Sequence, residues 1–308
     1  MTEKAEQNKT ERKPHIWAIG GGKGGVGKSF VSILTAIQLA RRNQKTVIVD
    51  ADLGGANLHT LMGIKTPVRT LNDFVCRKYP SIEAIRIKTS VNGLDIVCGA
   101  SEILSLANPQ YAQKSKIVQS IINMRADHII LDLGAGTSYN VLDFFLIAHN
   151  PIVVLTPQPI SIQNAYGFVR NTVYRKLSRM TAQKPSLQNL IKTAMDPKND
   201  KKVRTLHDLY QTVSKSHGKA LAVKMQEAIS SIRPLIITNM AKDKRDKNAG
   251  KIIQLVAEKY LTIQSRDLGA IEYDPTVESM VSQMMPLTDL SGDTMASLSA
   301  ERIIDQLL

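Results

Sequence analysis

The sequence predicts an α/β fold, with a mostly parallel, twisted sheet of about seven to eight strands and helices on both faces. Apolar runs of strand length alternate with segments of helical periodicity, which is typical of parallel sheets. Runs such as 46–49 and 152–155 are nearly all apolar, as expected for strands buried on both faces. Three runs end next to Asp50, Asp132 and Asn239, and sheets of this class bind ligands beyond the carboxyl ends of their strands.

The first half of the chain supplies the opening strands and a long helix. The run 15–19 predicts a strand that leads into a glycine cluster. Apolar positions within 29–42 have helical spacing, and Arg41 and Arg42 suit the negative end of that helix. Further strands are predicted at 46–49 and 94–97.

The second half continues the alternation to the carboxyl end. A helix is predicted around 117–122, and the helix face of 252–260 precedes the last strand. The remaining elements are strands at 128–131, 152–155, 235–238 and 268–271 and a final helix over 293–308.

Composition and cysteine content exclude several classes of protein. The 308 residues are 43% hydrophobic and 22% charged, which indicates a globular chain. No apolar run approaches the roughly 20 residues of a membrane span. The two cysteines, Cys76 and Cys98, exclude a disulfide framework and favour a reducing cytoplasm. Residues 1–13 are polar and are expected to be a disordered tail before a single domain over 14–308.

A basic segment interrupts the alternation. Residues 170–233 contain 14 Lys and Arg against four Asp and Glu, so they carry +10 of the chain's net +13. Helical spacing within this stretch predicts a helical insertion at about 175–232. Its charge fits either a solvated helical face or a surface that binds DNA or an anionic membrane. The candidate contacts are Tyr174, Arg175, Lys176, Arg179, Lys198, Lys201, Lys202 and Arg204.

The glycine cluster predicts a phosphate site. Residues 20–29 read GGGKGGVGKS and contain the pattern G-x-x-x-x-G-K-S between a strand and a helix. Glycines let backbone N–H groups point at phosphate, and Lys28 can reach the β- and γ-phosphates. The Ser29 hydroxyl can ligate Mg²⁺. The predicted nucleotide-binding residues here are Gly22, Lys23, Gly24, Gly25, Val26, Gly27, Lys28, Ser29 and Phe30.

Two aspartates complete the predicted site. Asp132 is followed by Gly134 and Gly136, so it can hold Mg²⁺ through water beside a mobile loop near the γ-phosphate. Asp52 follows the second strand and can orient the attacking water or act as its base. Lys28 and Asp52 are therefore candidate catalytic residues.

The additional lysine, Lys23, identifies a family resemblance. The run 23–29, KGGVGKS, resembles the deviant Walker A motif of the MinD/ParA family of P-loop ATPases. In that family the first lysine crosses to the nucleotide of a partner subunit. The resemblance therefore implies a homodimer around ATP, in which Lys23 acts in trans as a third candidate catalytic residue.

Other segments extend the resemblance to most of the chain. Residues 49–58 look like switch I of MinD and of FlhG, the MinD-like regulator of flagellar number, and 131–136 look like switch II. Asn239, within 238–240, matches the position of an adenine-contacting asparagine. The final helix, 293–308, has a net charge of −2, unlike the basic membrane-targeting helix of MinD and FlhG.

The resemblance implies an ATP- and Mg²⁺-dependent dimerisation switch, nearest to FlhG-like proteins. It would bind and slowly hydrolyse ATP to control the position or number of a structure, with a protein activator or cargo. We expect it in the cytoplasm, with peripheral attachment to the membrane or nucleoid. Two alternatives stay open: a ParA-like partition ATPase that binds DNA non-specifically, and a metabolic ligase or synthetase of the same superfamily.

Two further classes are less consistent with the residues. Iron–sulfur relatives bridge two subunits with paired cysteines near switch II, whereas Cys76 and Cys98 are neither a C-x-x-C pair nor near Asp132. No iron–sulfur cluster is therefore expected. A binding module that has lost hydrolysis is disfavoured because Lys28, Asp52 and Asp132 are all present.

Overall fold

The computed structural model describes residues 13–99, 111–196, 203 and 205–308. These residues fold around one eight-stranded sheet, which confirms the predicted fold class. Its strands are β1 (His15–Gly20), β2 (Thr46–Ala51), β3 (Ile87–Lys88), β4 (Leu94–Val97), β5 (His128–Leu133), β6 (Asn150–Leu155), β7 (Leu235–Ala241) and β8 (Arg266–Glu272). Their spatial order is β3-β4-β2-β5-β1-β6-β7-β8, and the pairs are parallel except for antiparallel β3–β4.

Helices cover both faces of the sheet. They are α1 (Lys28–Arg41), α2 (Leu58–Leu61), α3 (Leu71–Val75), α4 (Tyr111–Ile122), α5 (Tyr139–Phe145), α6 (Pro159–Met180), α7 (Pro185–Met195), α8 (Leu206–His217), α9 (Lys219–Ser230), α10 (Ala249–Leu261), α11 (Pro275–Ser282) and α12 (Met295–Ile304). None of these helices is long and apolar enough to cross a bilayer.

Alternation along the central strand separates the core into two layers. Ile16 and Ala18 of β1 join the layer formed with α4, α5, α6 and α10. Trp17 and Ile19 point to the other side and join the layer formed with α1 and α12. Because successive side chains of a strand point to opposite faces, this one strand anchors both layers.

Strand register places the polar residues at one edge. Asp132 of β5 lies between Ile19 of β1 and Asp50 of β2. The strands β2, β5 and β7 are longer than the apolar runs that predicted them. Asp50, Asp132 and Asn239 therefore lie within the last residues of these strands and do not follow the strands. All three face the carboxyl edge, as the sequence predicted.

The two outer strands of the sheet differ in how they end it. β3 is two residues long and pairs antiparallel with β4. Side chains that follow or belong to α12 reach the backbone of β8. The Gln306 side-chain amide donates to the Leu268 carbonyl at 3.1 Å, and the Glu272 N–H donates to Ser299 Oγ at 3.5 Å.

The basic segment forms the helices that its spacing predicted. Leu187 of α7, Leu209 of α8 and Met225 of α9 are buried in the core layer of α6. Position 175, where the insertion was predicted to begin, lies inside α6. The first further helix of the basic segment begins at Pro185. That the segment is an insertion stays a prediction. Outside the described residues lie the tail residues 1–12 and four candidate contacts: Lys198, Lys201, Lys202 and Arg204.

Other candidate contacts of this segment are engaged in the fold. Tyr174 is buried, and its hydroxyl donates to the Ala194 carbonyl at 3.2 Å, so it is not a surface contact as predicted. Arg175 donates two hydrogen bonds, of 2.7 and 2.8 Å, to the buried carboxylate of Asp143, which also binds Lys114. Burial raises the pKa of Asp143, but the hydrogen bonds from Arg175 and Lys114 outweigh it and lower the pKa overall.

Three histidines meet at the amino edge of the sheet. The Trp17 indole N–H donates to His128 Nδ1 at 3.0 Å, and the Ile16 N–H donates to His149 Nδ1 at 3.0 Å. The His15 ring stacks on His149 with centroids 4.8 Å apart. Because both Nδ1 atoms accept hydrogen bonds, protonation would replace an acceptor with a donor. Burial is the main cause that lowers the pKa of His128, and likewise that of His15.

We expect His128 to make folding less favourable in acid. A histidine whose pKa is lowered in the fold binds protons more readily when unfolded, so its stability contribution is present above about pH 6.5 and is lost as pH falls. Urea unfolding between pH 7.5 and 5.5 measures this, with Trp17, the only tryptophan, as the fluorescent reporter. His128→Gln keeps an acceptor but does not titrate.

The informative quantity is the difference between wild type and His128→Gln. Buried carboxylates with raised pKa values, Asp50 and Asp132, change stability in the opposite direction and are common to both proteins. We expect the wild type to lose about 1 kcal/mol relative to the variant over this range. Parallel pH profiles for the two proteins would contradict the assignment.

Candidate nucleotide site

The loop between β1 and α1 forms a cradle that tolerates little beyond glycine. Gly27 caps α1 with a φ of +87°, a conformation that L side chains rarely adopt. A Cβ on Gly22 would lie 2.1 Å from the Asn164 carbonyl oxygen of α6. The loop therefore rests directly on α6 backbone, and the first N–H groups of α1 face the space in front of it.

We expect Gly27→Ala to destabilise the protein by about 2 kcal/mol and to abolish nucleotide binding. A Cβ there would add left-handed strain and meet Asn239 Nδ2 at 2.1 Å. Urea unfolding and calorimetry with ADP measure the two effects. Gly167→Ala is the matched control: it lies inside α6 with nothing within 4 Å, and should stabilise by about 0.5 kcal/mol. Equal behaviour of the two variants would contradict this account.

The two loop lysines lie in different surroundings. Lys28 is 8% exposed, and its Nζ donates to the Lys23 carbonyl at 3.3 Å. Burial lowers the pKa of Lys28, while Asp132 and Asp52 favour its charged form. The Lys23 side chain is exposed to solvent. Lys28 is thus held within the site, whereas Lys23 is available to another molecule.

Ser29 and Asp132, the residues predicted to hold Mg²⁺, lie next to one another. Asp132 is 3% exposed and accepts hydrogen bonds from Ser29 and, at 2.8 Å, from Ser32. Burial raises the pKa of Asp132 to about 6, against the opposing effect of both serines and Lys28. A hydroxyl and a carboxylate are the oxygen donors that Mg²⁺ prefers, so these residues fit that ion.

Asp52 lies where residues 49–58, which resemble switch I, meet residues 131–136, which resemble switch II. It is half-buried, and a Cβ on Gly134 would lie 2.7 Å from its Oδ1. Its carboxylate thus packs against the backbone that follows Asp132. Asp52, Lys28 and Asp132 affect one another electrostatically, so the structure brings the three together.

Sequence reasoning treated Asp50 only as a strand-end residue and missed its place in the site. Asp50 is 1% exposed and accepts N–H hydrogen bonds from Asp52 at 3.2 Å and Leu58 at 3.1 Å. It therefore fixes both ends of the loop between Asp52 and Leu58. Burial, and then the neighbouring Asp132, raise the pKa of Asp50 to about 8. The spacing Asp50-Ala51-Asp52 was the available signal. Adjacent positions of an extended segment point to opposite faces, so two aspartates two positions apart are expected on the same face.

Asn239 lies against the phosphate loop from β7. Its side chain is 1% exposed, and Nδ2 donates to the Val26 carbonyl at 2.9 Å. With Phe30 it lines a cavity of about 440 Å³ next to Gly27 and Ser29. The far wall comes from the end of β8, the loop that follows it and α11, and of these only α11 was not predicted as part of the site. That wall includes Tyr273, Val277, Glu278 and Val281.

The two cysteines differ in their exposure to solvent. Cys76 is exposed, whereas Cys98 is buried at the end of β4. Burial, and then Asp50, raise the pKa of the Cys98 thiol to about 12. A thiol with this pKa is a poor source of the thiolate that iron requires.

A protein-family model described as ParA, NUBPL iron-transfer P-loop NTPase, matches residues 12–179. Among curated proteins, the chain is 32% identical over 157 residues to the antiactivator FleN of Pseudomonas aeruginosa, covering 50% of this chain and 55% of that protein. It is 29% identical over 162 residues to the flagellum site-determining protein YlxH of Helicobacter pylori, covering 50% and 52%. The chain thus matches about half the length of these two relatives.

Solved structures share the fold at low sequence identity. The septum site-determining protein MinD of Pyrococcus horikoshii, complexed with Mg-ADP, has a TM-score of 0.64 at 17% identity, covering 96% of both chains. A ParA family ATPase from Chlorobium tepidum has a TM-score of 0.61 at 15% identity, covering 96% of this chain and 98% of that one. These likenesses concern the fold alone.

Proposed function

The chain belongs to the ParA/MinD family of P-loop NTPases, and from this we propose that it is an ATP-dependent dimerisation switch. It binds ATP with Mg²⁺ and joins a second copy of itself. It then hydrolyses the ATP slowly and separates. The names of FleN and YlxH, an antiactivator and a flagellum site-determining protein, support a role in controlling the position or number of a cellular structure.

The contrast between Lys23 and Lys28 carries this proposal. Both come from one loop, yet Lys28 is buried within its own site and Lys23 is exposed. A residue that serves the nucleotide of a partner subunit must be free to leave its own subunit. The exposed Lys23 side chain meets that requirement.

Each site residue has a defined task in the proposal. Lys28 and the amino end of α1 bind the phosphates, and Asp52 orients the attacking water. Ser29 and Asp132 hold Mg²⁺, which when bound neutralises charge on the phosphates. Asn239 and Phe30 line the space next to the loop, where the base would lie. Turnover is slow without a stimulator because this chemistry depends mostly on positioning and charge stabilisation.

Sedimentation velocity tests the switch directly. We expect the wild-type protein to be a monomer with ADP and Mg²⁺ and a dimer with Mg²⁺ and a non-hydrolysable ATP analogue. A protein that stays monomeric at saturating ATP would overturn the switch and leave a nucleotide-binding domain. A ligase or synthetase would instead consume ATP only when its second substrate is supplied.

The basic helical segment favours a second candidate, a partition-type ATPase that binds DNA non-specifically. Its support is the net charge of +10 over residues 170–233. Co-sedimentation of the ATP-bound protein with DNA, and separately with anionic liposomes, distinguishes this candidate from membrane attachment. DNA affinity that falls steeply with salt supports the partition function, and liposome binding supports a peripheral membrane site.

A further inference from the structure

An apolar groove separates α6 from α10 on the face of the sheet opposite α1. Its cavity measures about 430 Å³. Its lining is Pro159, Ile162, Gln163 and Tyr166 from α6 and Ile252, Ile253 and Val256 from α10. The lining is almost entirely apolar, so water inside it makes few hydrogen bonds to protein.

Large apolar side chains at and beside the groove are exposed to solvent. Ile160 is 61% exposed beside Pro159, and Ile252 and Leu255 of α10 are 46% and 56% exposed. Ile252 and Leu255 are three residues apart, so they lie on one side of the helix. Single exposed apolar residues are ordinary, but a contiguous set around a groove is typical of an interaction surface.

Cations flank this groove. Lys251 and Lys259 of α10 are exposed. Arg170 lies four residues after Tyr166, on the same side of α6. None of the three belongs to an ion pair among the described residues. The acidic residue of α10, Glu258, lines a separate cavity with Arg233. Arg170 also donates to the Met195 carbonyl at 2.8 Å, and Lys251 acts electrostatically on Asp267. The edge of the groove therefore carries positive charge that is only partly offset.

The helix that forms one wall also supports the phosphate loop. The Asn164 carbonyl of α6 limits Gly22 to glycine, and Phe168 does the same for Gly20, where a Cβ would approach to 2.8 Å. Gln163 and Tyr166 belong to the same turns of α6 and face the groove. An occupant of the groove would thus contact the helix on which the nucleotide loop rests.

We propose that this groove docks an amphipathic helix of a protein partner, one with an apolar face and acidic residues along its flanks. The apolar walls take the side chains of one helix face, and Arg170, Lys251 and Lys259 pair with the flanking carboxylates. Docking of this kind does not require ATP or a second copy. It can therefore be tested apart from the proposed switch.

The probe is a fluorescein-labelled synthetic helix of about 18 residues, or five turns, with Leu on one face and Glu on the other. Fluorescence anisotropy without nucleotide measures its affinity for the full chain. We expect binding at least about tenfold tighter than that of two matched peptides. One matched peptide has Lys in place of Glu, and the other has the same residues in scrambled order.

Variants locate the binding surface. Ile252→Ser and Leu255→Ser should each weaken binding of the Glu peptide by about tenfold. Lys259→Glu should shift the binding preference toward the Lys peptide. Val223→Ser is the control, since Val223 is a 39% exposed apolar residue of α9 away from the groove. All these positions are exposed, so urea unfolding should show unchanged stability.

Three outcomes would overturn the proposal. The scrambled peptide could bind as well as the amphipathic one, or Ile252→Ser and Leu255→Ser could bind like the wild type. Alternatively, sedimentation without nucleotide could show a dimer that Ile252→Ser dissociates, in which case the occupant is a second copy of this chain. Failure of ATP-dependent dimerisation with peptide binding intact would instead count against the proposed function alone.

Discussion

Lys23→Ala is expected to lower ATP hydrolysis by about a thousandfold, the range typical of a cation supplied in trans to a transferring phosphoryl group. ADP binding should change little, because the proposed function assigns phosphate binding to Lys28 and to the amino end of α1. Phosphate release and calorimetry with ADP measure the two quantities. The expected result is thus a large loss of turnover with nucleotide affinity preserved.

Two comparisons make this result specific. Lys28→Ala removes the buried lysine and should abolish nucleotide binding itself, unlike Lys23→Ala. Lys45→Ala replaces another exposed lysine, at the amino edge of the sheet beside Asp127, and should leave turnover unchanged. Normal hydrolysis by Lys23→Ala, or a loss of ADP binding as severe as that of Lys28→Ala, would contradict the trans role.

Asp52→Asn is expected to reduce hydrolysis by a factor of about 10² to 10⁴ while leaving the ATP-bound dimer intact. The amide keeps the size that packs against Gly134 but removes the charge that, in the proposed function, orients and deprotonates water. Single-turnover hydrolysis and sedimentation with ATP measure the two properties. The variant should therefore accumulate as a stable dimer.

The control for Asp52→Asn is Asp305→Asn, which removes a surface ion pair with Arg42. Surface ion pairs contribute about 0–1 kcal/mol, so both dimerisation and hydrolysis should be preserved. Asp52→Asn protein that hydrolyses ATP normally would remove Asp52 from the chemistry. Protein that no longer dimerises would give Asp52 a structural role at the switch instead.

Much of the phosphate site is predictable because it is local in sequence. The loop, its lysines and α1 follow one another within residues 20–41, and helical periodicity starts directly after the glycines. Asp52 and Asp132 were found because each follows an apolar run, and parallel strands bring such residues to one edge. Their roles stay predictions until tested by the variants above.

The parts that were missed depend on tertiary contacts. Asp50 acts through backbone N–H groups of Asp52 and Leu58, a connection that no residue pattern reveals. α11 is only eight residues long and exposes Val281, so it lacks a clear apolar stripe. Tyr174 was predicted as a surface contact because cations follow it, whereas packing against α7 decides its burial.

The edges of the sheet restrict how copies of this protein can associate. Open strand edges invite further strands, from which fibres grow without limit. Here β3 is only two residues long, and two backbone groups of β8, the Leu268 carbonyl and the Glu272 N–H, are bonded to the side chains of Gln306 and Ser299. Among the described residues, both edges of the sheet are therefore poor templates for backbone pairing with another copy. Assembly is left to side-chain surfaces, which can form closed, reversible complexes of fixed size.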